Sequence, residues 1–325
     1  MECGVIKKCL IIGLGQIGMG YDLSNDLEHF VYTHAKAFSI HPKFDLVGAV
    51  ESSEEKRDIF KKNYDLPAYS EISEAIKDLE PSIIVIAVPT SSHLSVIQEV
   101  LATIKPELII CEKPLAYNLI EATRIIELCN IAKTLLIVNY MRRADPGSIE
   151  IKNRIDSGRI QEPIKGIVWY SKGFLHNGSH LFNLLEFWLG PFIKGKVIEK
   201  GRKLDNLDIE PDLHVEFKKG NVFFISAWEE YYSHYTIELL TKSGRLSYER
   251  EGESIFWQSI QKHPNIEGYN VLKIDKETII NDMNRYQLNF VDQIVNVLEG
   301  KKHSLSDGAQ SLKTIKSMLS LISKG

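Results

Sequence analysis

The chain has 325 residues, 44% of them hydrophobic and 25% charged, with a formal net charge of −4. That length exceeds one small core and suits two domains, and the composition is globular rather than disordered. The mildly acidic balance offers no clustered basic surface for a nucleic acid, and no run approaches the roughly 20 apolar residues of a membrane span. The opening MECGVIKKCLIIG holds too few apolar residues for a signal peptide, so a cytoplasmic protein is expected. Cys3, Cys9, Cys111 and Cys129 show no metal-ligand spacing, and the last three sit in apolar patterns where buried free thiols are usual. No metal site is expected.

Along the chain, CLIIG (9–13), FDLVGAVE (44–51), SIIVIAVP (82–89), ELIICEKP (107–114) and TLLIVNY (134–140) are short apolar runs. Such runs are the pattern of strands covered on both faces. Helical spacing fills the intervals at Glu54–Tyr64, Ile72–Leu79, His93–Ile104 and Ile120–Ala132. The alternation predicts an α/β fold, with a doubly wound parallel sheet over residues 1–140.

Gly13, Gly15 and Gly18 follow the first strand and precede a helical pattern, with Gln16 and Ile17 between them. Glycines so placed permit a tight turn and let backbone N–H groups approach a pyrophosphate at a helix N-terminus. Glu51 ends the second strand, where a carboxylate accepts from ribose hydroxyls and repels a 2′-phosphate, favouring NAD over NADP. Gly18 and Glu51 lie 33 positions apart, whereas about 20 are usual. The surplus is YDLSNDLEHFVYT (21–33), an insertion before the helix THAKAFSI (33–40). Its Asp22, Asp26 and Glu28 are acidic, and its Tyr21, Phe30 and Tyr32 call for packing partners. It is either a partly ordered flap over the cofactor cleft or a surface excursion.

Pro89 stops the next strand, and the Thr-Ser-Ser before His93 suits either a helix cap or a ligand contact. In open α/β sheets ligands gather at strand C-terminal ends, which makes Pro89 and His93 candidate cofactor contacts. Glu112-Lys113-Pro114 ends a further strand. Lys113 is either a solvated loop residue or directed into the cleft, and the proline restricts it to extended backbone. An ammonium there can hydrogen-bond a substrate hydroxyl and lower its pKa.

From about residue 145 the texture changes. A helical pattern at Ser148–Ser157 is followed by IKGIVWYS, DLHVEFKKG, NVFFISAWEEY, HYTIELLTKSG and RLSYEREGESIFW, with KKGN and KSGR as turns. An α+β domain over 141–325 with a mostly antiparallel, open-faced sheet is expected, ending in a helix at Leu305–Ser323 that could pack back on the first domain. Within it, His176-Asn177-Gly178-Ser179-His180 puts two histidines four apart, where they can share a helix face. They suit either a structural pair or proton transfer near neutral pH; metal binding lacks a third ligand, since Asn183 is a poor one.

Together, GLGQIG (13–18), VPTSSH (88–93), CEKPLA (111–116), NGSHLFNLLEFWLG (177–190) and the helix after SLSDG resemble the glucose-fructose oxidoreductase / inositol dehydrogenase / rhizopine catabolism (Gfo/Idh/MocA) family. The resemblance covers most of the chain. It implies an N-terminal Rossmann domain, a C-terminal open-faced sheet that forms a homodimer or homotetramer interface, and NAD(P)-dependent chemistry on sugars and polyols. It makes Lys113 the motif lysine and His180 the motif histidine, with Glu112 and Lys113 also near the cofactor. His176, Asn177, Asn183 and Arg142 or Arg143 become the candidate substrate contacts, His176 also as a catalytic partner. Many members carry an aspartate four residues before the motif histidine and another three after it, where this chain has His176 and Asn183. The HNGSH variant is similar to members of polysaccharide and nucleotide-sugar pathways. The departure motivates a rival reading, a non-catalytic nucleotide- or sugar-binding protein. A biliverdin-reductase-like activity on a planar substrate suits the fold but not the polar His/Asn/Ser segment.

Overall fold

In the computed structural model, residues 6–23, 29–204, 208–227 and 231–323 are described. The chain runs β1 (Lys7–Ile12), α1 (His34–Ile40), β2 (Phe44–Val50), α2 (Glu54–Tyr64), β3 (Ala68–Tyr69), α3 (Ile72–Leu79), β4 (Ile83–Ile86), α4 (His93–Thr103), β5 (Leu108–Cys111), α5 (Leu119–Ala132) and β6 (Leu135–Val138). It continues through α6 (Pro146–Asp156), β7 (Ile164–Tyr170), α7 (Ser179–Leu189), β8 (Phe192–Lys203), β9 (Ile209–Phe217), β10 (Gly220–Ser226), β11 (Thr236–Thr241), β12 (Gly244–Glu249), β13 (Ser254–Lys262), β14 (Asn270–Leu272) and β15 (Glu277–Thr278). The last elements are α8 (Tyr286–Leu298), β16 (Ser306–Asp307) and α9 (Gly308–Ile322). Two compact units result, residues 1–144 with 284–315, and residues 145–283 with 316–325.

The first unit is built on a seven-stranded sheet of order β16-β6-β5-β4-β1-β2-β3, parallel except for β16. Strand order reverses between β1 and β4, which is where a doubly wound sheet opens a crevice at its strand C-terminal ends. Every residue of β4 and β5 is fully buried. Each such aliphatic side chain contributes about 1.5–3 kcal/mol by leaving water, which outweighs any local propensity in so short a run. Cys9, Cys111 and Cys129 are buried free thiols, and burial pushes the Cys129 thiol up to about 12.

The glycine turn does not pass directly into a helix, as its sequence context suggests. His34 N–H bonds Ile17 O at 3.1 Å and Ala35 N–H bonds Gly18 O at 3.0 Å. An unbroken helix bonds residue i to i−4, so the first turn at Gly15–Gly18 and α1 are two parts of one helix with the insertion looped out between them. Asp22 closes the loop: its carboxylate accepts from Tyr32 N, Thr33 N and Thr33 Oγ1, the last at 2.6 Å. Thr33 caps α1. Tyr32 stacks on Tyr286 at 5.2 Å, and Val31 pairs with Asn284 and Gln287 through its backbone. Residues 24–28 of the insertion, with Asp26 and Glu28, lie outside the described residues.

α8 belongs to the first unit, although the pattern change near residue 140 assigned it to the second. Phe290, Val291 and Ile294 are fully buried in one cluster with Ile11, Phe38 and Phe44. Strand-helix alternation stops at β6, so no local periodicity announces that the chain returns.

The second unit carries a sheet of order β14-β13-β12-β11-β7-β10-β9-β8, with β15 against β13. Its pairs are antiparallel except β7 with β10. Alternation sorts the faces: Val168, Tyr170, Leu213, Val215, Val222 and Phe224 are buried, while Trp169 and Leu240 are exposed on the other side. α7 covers the inner face. Its Leu181, Phe182, Leu184, Leu185, Trp188 and Leu189 are fully buried, and Phe182 packs on Phe217 and Phe224 with ring centroids 5.3 and 5.8 Å apart. Asp145 caps α6 with Pro146 in its first turn, and burial raises the Asp145 carboxyl to about 6 against its backbone hydrogen bonds. Among the described residues no helix is long and apolar enough to cross a membrane.

Candidate active site

In the first unit, most of the expected cofactor residues gather at the C-terminal ends of β1, β2, β4 and β5. Gly13 has φ +101°, and a Cβ there would meet Ala87 O at 2.6 Å; one at Gly18 would meet Gly13 O at 2.2 Å. Nothing lies within 4 Å of a Cβ placed on Gly15. Two of the glycines are therefore required by packing, and the third faces open space. That division is what a phosphate-binding turn needs, since Gly15 leaves room for a pyrophosphate to reach backbone N–H groups. Gln16 and Ile17 lie within the same turn.

Glu51, directly after β2, accepts from Leu14 N at 2.9 Å through one oxygen and from Ser53 N at 3.1 Å through the other. Burial alone would raise its carboxyl, but the Ser53 and Leu14 N–H bonds and the Lys56 charge outweigh that and hold it below the ordinary value. An anion thus sits against the glycine turn at the place where an adenosine ribose arrives in this fold.

β4 already ends at Ile86, so Pro89 does not stop the strand but opens the short turn Thr90–Ser92, after which His93, 1% exposed, begins α4. Its Nδ1 lies 3.1 Å from Leu115 O and its Nε2 3.1 Å from Val88 O. Burial lowers its pKa against those two carbonyls. His93 thereby ties the loop after β4 to the loop after β5, and both ring nitrogens are engaged by the protein itself.

Lys113 follows β5 and is half-buried, with a cis bond to Pro114. Its neighbour Glu112 points inward. Glu112 Oε1 lies 2.7 Å from His34 Nε2 and accepts from Asn139 Nδ2 at 2.7 Å. Asn139 also donates to Gln287 Oε1 at 3.1 Å. The network joins α1, β5, the end of β6 and α8, and His34 and Gln287 are fully buried. Burial alone would raise the Glu112 carboxyl; the hydrogen bond and attraction of His34, the Asn139 amide and the Lys113 charge bring it below the ordinary value. His34, Asn139 and Gln287 carry no motif, and sequence reasoning missed them. Arg142 and Arg143 form the short turn after β6, both buried rather than displayed on a surface.

In the second unit, His176, Asn177, His180 and Asn183 lie on one continuous segment. A wide π turn, Gly173–Gly178, runs into α7. His176 is exposed and Asn177 half-buried, whereas His180 is 6% and Asn183 1% exposed. The histidines are therefore not equivalent members of one helix face. Asp208 accepts from the His176 backbone N at 2.8 Å, and Tyr170 beneath the turn has its hydroxyl pKa raised well up by burial and by Glu210, Asp208 and Asp212. A separate depression on the sheet, lined by Ile167, Trp169, His234, Tyr235, Ser247 and Arg250 among others, contains none of the expected site residues. Among the described residues no cluster of three or more His, Cys, Asp or Glu is placed to hold a metal.

The strand order and the glycine turn define a dinucleotide-binding Rossmann unit. Residues 7–140 match the oxidoreductase family with an NAD-binding Rossmann fold, Gfo/Idh/MocA, and it is in this part of the chain that the likeness to that family lies. The scyllo-inositol 2-dehydrogenase (NAD(+)) of Bacillus subtilis (strain 168) is 29% identical over 241 residues, 66% of this chain and 64% of that one. The inositol 2-dehydrogenase of Salmonella typhimurium (strain LT2) is 29% identical over 159 residues, 48% of this chain and 44% of that one. The chain thus spans less than two thirds of the length of these relatives. Likeness of fold extends further. A putative NADPH-dependent oxidoreductase from Desulfitobacterium hafniense DCB-2 superposes with TM-score 0.79 at 18% identity, covering 98% of this chain and 95% of that chain. The WlbA dehydrogenase from Bordetella pertussis, in complex with NADH and UDP-GlcNAcA, does so with TM-score 0.75 at 15% identity, covering 99% and 97%.

Glu112 supplies a test by pH. Its folded pKa is depressed, so its stabilisation is fully present above the ordinary value of about 4.3 and lost as pH falls through the folded value. Glu112→Gln is expected to lower stability at pH 7 by about 1–3 kcal/mol, measured by urea unfolding, with the deficit holding down to about pH 4.3 and shrinking below it. A deficit that stays constant with pH would contradict the role of the charge.

Proposed function

We propose that the chain is an NAD-dependent dehydrogenase or reductase acting on a CH–OH group of a sugar, polyol or nucleotide sugar. The observation that carries this is the open face at Gly15 at the β1/β4 reversal, with Lys113 at the end of the neighbouring strand β5. Gly13–Gly18 would hold the pyrophosphate and Glu51 the adenosine ribose of a dinucleotide that would supply the hydride chemistry of its nicotinamide. Lys113 is assigned to hold and polarise the carbinol oxygen. His180 is assigned to take its proton on oxidation and return it on reduction, a task suited to a group titrating near neutrality. Asn177, His176, Asn183 and Arg142 are assigned to the substrate. The substrate class follows the relatives, which are inositol dehydrogenases by sequence and include by fold a dehydrogenase in complex with NADH and UDP-GlcNAcA. The buried thiols accord with a reducing cytoplasm, and the outer sheet face bearing Trp169 and Leu240 is assigned to self-association.

Cofactor choice tests Glu51. Its like charge against a 2′-phosphate should make NADH bind at least about tenfold more tightly than NADPH, roughly 1.4 kcal/mol. Glu51→Ser should narrow that gap. Fluorescence titration measures both, and equal affinities in the parent would remove Glu51 from the cofactor site.

Turnover tests the acid/base pair. With inositols and UDP-sugars screened by NADH absorbance, Lys113→Ala and His180→Ala are each expected to lower kcat by roughly 10²–10⁴-fold. NADH affinity should change little. Parent-like turnover in His180→Ala would overturn the assignment, and tight NADH binding without turnover in the parent would favour the binding-protein reading.

A further inference from the structure

The histidine turn is fastened from outside its own helix. It leaves β7 through Lys172 (φ 62°) and Gly173 (φ 83°), two successive left-handed residues. The first N–H groups of such a turn have no partner within it. Asp208, immediately before β9, takes two of them: Oδ1 accepts from Leu175 N at 2.9 Å and Oδ2 from His176 N at 2.8 Å. Its Oδ1 also accepts from Ile209 N at 2.8 Å. Two residues on, Glu210 accepts from Gly173 N at 3.1 Å and from Arg202 Nε at 2.5 Å. Asp208 is 5% exposed and Glu210 fully buried.

Gly173 makes the approach possible, because a Cβ there would meet Asp208 Oδ2 at 2.1 Å. Three N–H donors on two oxygens favour the anion, since a carboxylic acid would turn one acceptor site into a donor facing donors. Among the described residues, the charged groups around the turn include Asp208 just before β9, Glu210 and Asp212 from β9, Arg202 from β8 and Lys172 at its start, with the Tyr170 hydroxyl from β7. Arg202 donates to Glu210, and Asp208 is in contact with the backbone of His176. His180 opens the helix one turn further on, so the place where the turn is clamped sets where α7 begins.

We propose that Asp208 is the positioning residue of the histidine segment. It fixes the backbone at Leu175 and His176, and through it the start of the helix that bears His180, and it supplies a negative charge beside His176. The functional importance of this rests on His180 being the proton-transfer group, but the test does not.

Histidine imidazoles of isotope-labelled protein are titrated by NMR, with thermal melting as the control for folding. A neighbouring anion favours the imidazolium of an exposed histidine modestly, because water screens the pair. In Asp208→Asn the His176 midpoint should fall by about 0.3 pH units or more, and the Leu175 and His176 amides should exchange with solvent at least about tenfold faster. Asp208→Ser should do the same, and Asp208→Glu, which keeps the charge, should restore the midpoint. A parent-like midpoint in folded Asp208→Asn or Asp208→Ser overturns the proposal, as does failure of Asp208→Glu to restore it. Because nothing is turned over in this measurement, it stands apart from the fate of His180→Ala in the kinetic test.

Discussion

The first unit depends on the close approach of Gly13 to the chain leaving β4. With φ +101° and Ala87 O where a Cβ would stand at 2.6 Å, position 13 admits only glycine without displacing backbone. That approach lets β1 turn sharply at its end, and Gly18 closes the turn by lying against Gly13 O. Gly15 is left at the surface of the crevice with nothing opposite. The glycine spacing is thus two packing requirements around one vacancy. The candidate residues Glu51, Pro89 and Lys113 take their places from the parallel strands on either side of that turn.

The looped-out insertion shows how strongly the turn and α1 are coupled. His34 and Ala35 complete the hydrogen bonds of Ile17 and Gly18 across the excursion, so the helix is conserved in geometry while broken in sequence. Resuming there also delivers His34 to Glu112, and hence to the residue beside Lys113. The second unit solves a comparable problem differently. Its histidine turn is held by the carboxylates of Asp208 and Glu210, at and just before the start of β9 and distant in sequence, and by the apolar face of α7 buried on the sheet.

Much of this was legible in the chain because β1, β4 and β5 are buried on both faces and so read as unbroken apolar runs. The glycine turn, Glu51, Lys113 and His180 stand out in the sequence as candidates because each sits at a fixed offset from such a run or within a short motif. β8 carries no such signal: it is an edge strand rich in Lys, with no alternation to see, as edges that avoid aggregation often are. α8 has a helical pattern but no local sign of which core it enters. The His34–Glu112–Asn139–Gln287 network and the Asp208 clamp join residues 27 to 253 and 32 to 33 positions apart respectively. Contacts of that kind arise from tertiary structure and leave no periodicity behind.

The central claim is that the vacancy at Gly15 exists for a dinucleotide, and Gly15→Val tests it most directly. Position 15 has room for the side chain and no left-handed φ, so the variant without nucleotide should melt within about 2 °C of the parent, a stability change below ~0.5 kcal/mol. Its affinity for NADH, followed by fluorescence titration, should fall by about a hundredfold or more, roughly 2.7 kcal/mol, because the isopropyl group occupies the place of the pyrophosphate. A variant that melts like the parent and still binds NADH with parent affinity would contradict the account.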